Sequence, residues 1–137
     1  MNTAKIIATT ASKVPFGVRL LAGVPLLLIS IQHATGMAPM KPILVGAGIP
    51  MADLNAAVAP IFEIIAALLL LSGFFARIGA LITMGAMVMA TYTHLVFDWE
   101  TEPPVVLPIV IFLAAAFILV KGAGAFSLDL KKRASAS

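Results

Sequence analysis

Apolar residues fill four long stretches of the chain, each near the ~20 residues that a helix needs to cross the hydrocarbon of a bilayer. The pattern predicts helices over about 16–37, 54–75, 78–97 and 104–120. Helix breakers and polar residues fall between them. The stretch APMKPILVGAGIPMAD, residues 38–53, carries Pro39, Pro42, Gly46, Gly48 and Pro50, which interrupt any long helix. It also keeps Ile43, Leu44, Val45, Ile49 and Met51, so it is expected either to lie against the membrane surface or to fold over the helices as a lid. Asp53 stands where an N-cap for the second helix belongs. The link FFARIG, with Arg77, is short enough to make its two helices antiparallel neighbours. The link DWETEPP is acidic, and its Pro104 suits a helix start. The tail KKRASAS, residues 131–137, is expected to be flexible. The first apolar run follows Lys5, Lys13 and Arg19 as a signal peptide would. It exceeds the roughly 7–15 apolar residues of such a peptide, and is expected to be retained.

Composition turns this pattern into a fold class. The chain has 137 residues, 61% of them hydrophobic and 11% charged, against roughly a quarter charged in soluble domains. A small soluble domain leaves much of its surface exposed and has no room to hide so much apolar area. The expectation is a single all-α domain over residues 1–137, an integral membrane four-helix bundle whose solvent is the lipid bilayer. Cysteine is absent, which excludes disulfide exchange, thiol relays, thiolate metal sites and iron–sulfur clusters. The net charge of +3 is not gathered into a basic stretch interleaved with aromatics, so nucleic acid is not an expected partner.

Charge sets the expected orientation. Four spans put both termini on one side, together with Lys5, Lys13, Arg19, Arg77, Lys121, Lys131, Lys132 and Arg133. The other side receives Lys41, Asp53, Asp98, Glu100 and Glu102. The positive-inside rule then makes both termini cytoplasmic and leaves Trp99 at the opposite interface, where an indole is well accommodated.

Few ionisable groups remain inside the spans, and a carboxylate in hydrocarbon needs a partner, a proton or a task. Glu63 sits in APIFEIIAALLLL, on a helical face with Ala56, Ala59, Ala66 and Leu70. Small residues let helices approach closely in lipid, so this face is expected to point inward. His33 shares a face with Ile29 and Gly36, beside Gln32. On the third helix Met84, Met87, Thr91, His94 and Asp98 form another stripe, with Tyr92 and Trp99 next to it. Helix rise puts these groups in the outer half of the bundle, where Glu63 is expected to meet His33, His94 or both. A Glu–His pair that shares a proton costs far less than a bare carboxylate. The expected polar centre is therefore Glu63, His94 and His33 as catalytic groups. Gln32, Thr91, Tyr92, Asp98 and Trp99 are the expected ligand-contacting residues. Two histidines and a carboxylate can also ligate a metal. Spread over three helices they carry no metal-site spacing, and no metal is assigned. No HExxH, P-loop, dinucleotide-binding or Ser–His–Asp pattern occurs.

Three stretches resemble the DoxX family of small four-helix membrane proteins. They are VRLLAGVPLLLISIQHATG, FEIIAALLLLSGFFARIGALITMGAMVMATYTH and GAGAFSLDLKKR. Within them Glu63, the turn Leu70 to Arg77 and the closing segment Gly122 to Asp129 carry the match. The chain departs from that pattern at Ile64-Ile65-Ala66-Ala67, where a double glycine is common, and in its proline-rich loop. The resemblance implies a multi-pass protein of the bacterial inner membrane, similar to membrane subunits of thiosulfate:quinone oxidoreductase. It implies a quinone or another small molecule as the ligand, and electrons delivered by a partner subunit or a bound substrate. Two other readings stand beside it. One is a non-enzymatic subunit docked on a larger complex through small faces such as Gly79, Ala80, Thr83, Ala86 and Ala90, or Ala114–Ala116. The other is a small transporter working as a homo-oligomer.

Overall fold

A computed structural model describes residue 9 and residues 11–97 and 105–135. The whole acidic link, residues 98–104 with Asp98, Trp99 and Pro104, lies outside these described residues. The apolar stretches are helical over most of their described length, with turns at 35–37 and 73–75. Helix α1 is Val14–Ala34, α2 is Met40–Gly46, α3 is Ala52–Ser72, α4 is Ala76–Val96, α5 is Val106–Lys121 and α6 is Leu128–Ser135. No strand occurs among the described residues. Three helices, α1, α3 and α4, are long and apolar enough to cross a membrane, and α5 is a shorter apolar helix of 16 residues.

Helices α1 and α4 each pack on both α3 and α5, while the short α2 lies against α3. Small residues make this possible. Ala22, Ala66, Ala67, Ala80 and Ala115 are fully buried around Leu26, Leu70, Ile111 and Ile118. A Cβ built on Gly79 would stand 2.8 Å from Leu69 Cβ and 3.0 Å from the Ala66 carbonyl oxygen, so α3 and α4 touch almost backbone to backbone there. The small faces that sequence offered for docking a partner are thus largely spent inside the chain, with Gly79, Ala80, Thr83, Ala114 and Ala115 all buried. Leu20, Leu21, Val24 and Leu28 of α1 and Ile61, Ile65 and Leu68 of α3 point outward, as lipid-facing residues do.

The α3–α4 turn is tight. Gly73 ends α3 with φ +65° and Phe75 precedes α4 with φ +46°, two left-handed residues that reverse the chain. Gly73 also leaves room for its neighbours, since a Cβ there would strike the Arg19 guanidinium and Ser127. Arg19 was expected among the solvated flanking cations, but it is completely buried. Its Nη1 donates to the carbonyls of Leu70 and Leu71, and its Nη2 to those of Ala125 and Phe126. Asp129, also buried, accepts from the Phe75 and Ala76 amides at 2.8 and 3.1 Å. The expected flexible tail is helical through Ser135, started by Ser127, whose Oγ accepts from the Leu130 amide.

At the opposite end, α3 outruns α1. Ser30 stands against Glu63, which leaves four residues of α1 beyond it but eleven of α3, a step of about 10 Å at 1.5 Å per residue. The loop and α2 fill that step as a lid. Leu44 and Ala47 are buried, the Phe97 ring lies on Gly46 where a Cβ would clash, and the Tyr92 hydroxyl donates to the Ala47 carbonyl. Asp53 does not cap α3. That position belongs to Met51 in a left-handed conformation, and Asp53 instead makes a direct, exposed ion pair with Lys41 of the lid.

Candidate functional site

Beneath the lid the helices enclose a cavity of about 700 Å³. Carbon lines most of it: Leu26 and Ile29 from α1, Ile82 and Ala86 from α4, Leu107 and Ile111 from α5. The polar side chains on its wall are Gln32, His33, Asn55, Glu63, Thr93 and His94. Such a volume matches small-molecule sites, in which a few polar groups orient a mostly apolar ligand.

Glu63 is the buried member, 8% exposed. Pro60, Glu63, Ala67 and Leu70 share the buried side of α3 at helical spacing, so the acid belongs to the inward face. The Ser30 hydroxyl donates to Glu63 Oε2 at 3.1 Å and also lies 2.6 Å from the Leu26 carbonyl oxygen of its own helix. His33, one turn above Ser30, presents Nδ1 3.9 Å from the same Oε2. That distance is beyond a hydrogen bond, and His33 Nδ1 is buried with no hydrogen-bond partner among the described residues. A buried orphan nitrogen beside a buried acid is a place where a ligand oxygen would be held.

His94 lines the cavity from α4, with Nδ1 2.7 Å from the Ala90 carbonyl oxygen. Glu63 lies nine residues from the turn end of α3, and His94 lies eighteen from that of α4. Along the axes His94 is therefore about 13 Å nearer the lid, so the two histidines do not converge on the acid together. Among the described residues no group of three or more His, Asp or Glu side chains is placed to hold a metal ion.

The remaining expected contacts divide. Gln32 is on the wall. Thr91 and Tyr92 are not: Thr91 donates to the Met87 carbonyl beside a shallow groove with Val88, Ile109 and Phe112, and half-exposed Tyr92 reaches back to the lid. On α4, Met87 and His94 of the expected stripe line the cavity together with Ile82, Ala86, Ala90 and Thr93, while Thr91 falls to the side of it. Asp98 and Trp99 lie outside the described residues. Sequence reasoning passed over Ser30, whose only signal is its place three residues before His33 on one face.

A chain whose described residues are all helix and loop, with lipid-facing apolar helices around a polar-centred cavity beneath a lid, is a membrane protein. Its family follows from comparison: the DoxX family model matches residues 14–96, more than half of the chain, and the protein belongs to that family. The match covers α1 through α4, and so Arg19, Ser30, His33, Glu63, the lid and His94. No match was found among curated proteins or solved structures.

Proposed function

We propose that this DoxX-family protein binds a lipid-soluble, carbonyl-bearing molecule of the quinone class in the cavity, as the membrane subunit of a redox system. Its four apolar helices span the bacterial inner membrane with both termini in the cytoplasm. The observation that carries the reading is the pairing of buried Glu63 with the unpartnered Nδ1 of His33, 3.9 Å apart in a largely apolar chamber. A quinone supplies two-electron chemistry coupled to the uptake of two protons. His33 is suited to donate a hydrogen bond to a carbonyl oxygen, and Glu63 to hold or deliver a proton beside it. Ser30 keeps the carboxyl aimed at His33. The apolar walls exclude water and strengthen both contacts. No side chain here cycles electrons, so these come from a partner subunit or a bound reductant.

The test is equilibrium binding of decylubiquinone to the purified protein in lipid nanodiscs. Wild type binds saturably, and Glu63→Gln, which keeps the shape but cannot ionise, binds about tenfold more weakly, the scale of one charge-assisted hydrogen bond. Equal affinity of the two proteins refutes the assignment.

A further inference from the structure

Helices α3 and α4 are in tight contact near their shared turn. At Gly79, three residues into α4, a Cβ would collide with Leu69 and the Ala66 backbone. Gly85, six residues further and about 120° round the helix, points to a different side, where a Cβ would meet nothing within 4 Å. The facing ridge of α3 runs Leu69, Ala66, Phe62, one step per turn. Its last member and the α4 ridge Leu81, Gly85, Met89 have a double character: all four line the cavity, and all four are exposed on the outer surface, Phe62 by 52%, Leu81 by 49% and Met89 by 45%. A residue that faces both inside and outside marks the edge of an opening. The α5 wall differs, because Pro108 and Ile111 line the cavity while buried.

The opening is level with the polar centre. Glu63 lies nine residues above the turn on α3, and Gly85 nine residues above it on α4, each about 14 Å along its helix. That height is near the middle of two 21-residue spans, where only acyl chains surround the protein. A polar ligand would gain nothing from a door there.

We infer that the gap between Phe62 and Gly85 is a lateral portal to the bilayer core, and that the ligand is an amphiphile whose head lies at Glu63 and His33 while its apolar chain runs out through the portal. The inference rests on the cavity being a site for a quinone-class head, and it adds the chain and its route. A chain lodged this way stays in hydrocarbon, so binding the head costs no transfer of the tail out of lipid. Gly85 sets the width of the gap, because any side chain there stands in it.

The experiment compares two probes in nanodiscs: decylubiquinone, and the same ring with a methyl group in place of the decyl chain. Each is titrated against wild type, Gly85→Ala, Gly85→Leu and Leu81→Trp. Variant-to-wild-type ratios for one probe cancel its partitioning into lipid. The expected result is that Gly85→Leu and Leu81→Trp weaken decylubiquinone about tenfold more than they weaken the chainless ring, the scale of overpacking a filled slot. Saturable binding of the chainless ring also shows that the variants are folded. Equal ratios for the two probes, whether unchanged or reduced together, overturn the portal while leaving the head site standing. Failure of wild type to bind either probe overturns the head site and the portal with it.

Discussion

Arg19 and Asp129 hold the two sides of one turn. The guanidinium takes the carbonyls of Leu70 and Leu71 where α3 ends, and the carboxylate takes the amides of Phe75 and Ala76 where α4 begins. Each charge also has the sign that its helix end favours, a cation at a C-terminus and an anion at an N-terminus. Arg19 further binds the Ala125 and Phe126 carbonyls, so α1, the turn and the closing segment form one knot at the base of the site.

Removing either charge leaves helix-end groups buried and unpaired. Arg19→Met and Asp129→Ala are each expected to destabilise the protein by about 3–5 kcal/mol, the scale for breaking a buried charged network. Because both act on the same turn, the double variant should lose clearly less than the sum. Thermal unfolding in detergent, followed by circular dichroism, measures this; strict additivity would mean that the two ends are held independently.

The two glycines of α4 should respond in opposite directions to the same substitution. Gly79→Ala forces a Cβ into the α3 backbone, and is expected to cost about 1–3 kcal/mol. Gly85→Ala enters open space and gains helix propensity, worth up to about 1 kcal/mol in favour of the folded state. Melting temperatures of the pair in one detergent decide it. A loss at both positions would mean that the side chain added at Gly85 does not enter open space.

Ser30→Ala removes the hydroxyl that meets the buried acid. The expected cost is about 1–3 kcal/mol, the desolvation of an acceptor left without its donor, and Ser30→Thr should restore most of it. Combined with Glu63→Leu, which removes the group needing satisfaction, Ser30→Ala should cost little more. Chemical or thermal unfolding of the four variants shows whether that coupling exists.

The lid is held by a ring on a glycine. Gly46→Leu drives a side chain into Phe97, and is expected to lift α2 and expose the cavity end marked by Leu44. Hydrogen exchange over residues 40–50 should rise while the amides of α3 and α4 stay protected. In contrast, Lys41→Ala breaks only an exposed ion pair and should change stability by less than about 1 kcal/mol.

The sequence exposed some of these features and hid others for physical reasons. Glu63 and His33 were legible because an ionisable group inside an apolar run is costly and has to be accounted for, and lipid-facing and inward faces separate at helical spacing. The lid was legible from its mix of breakers and apolar residues. Ser30 was not, since a serine in an apolar helix satisfies itself on its own preceding turn, and only the approach of α3 adds the second contact. Thr91 was expected at the site because it shares a stripe with Met87 and His94; both of those line the cavity, but Thr91 turns toward α5, and only the packing of α4 on both α3 and α5 fixes which members of a stripe face inside. His94 was expected as one possible partner of Glu63 because both were put on inward faces in the outer half of the bundle, but their heights differ by nine residues. Arg19 looked like a flanking cation because charge counting does not reveal whether carbonyls await it.

The central claim is that Glu63 and His33 act as one polar centre for a ligand. A double-mutant cycle in decylubiquinone binding, with Glu63→Gln and His33→Phe in nanodiscs, tests it most directly. The account predicts that each single variant binds about tenfold more weakly, and that the double variant is little weaker than either. Wild-type affinity in both single variants would contradict it.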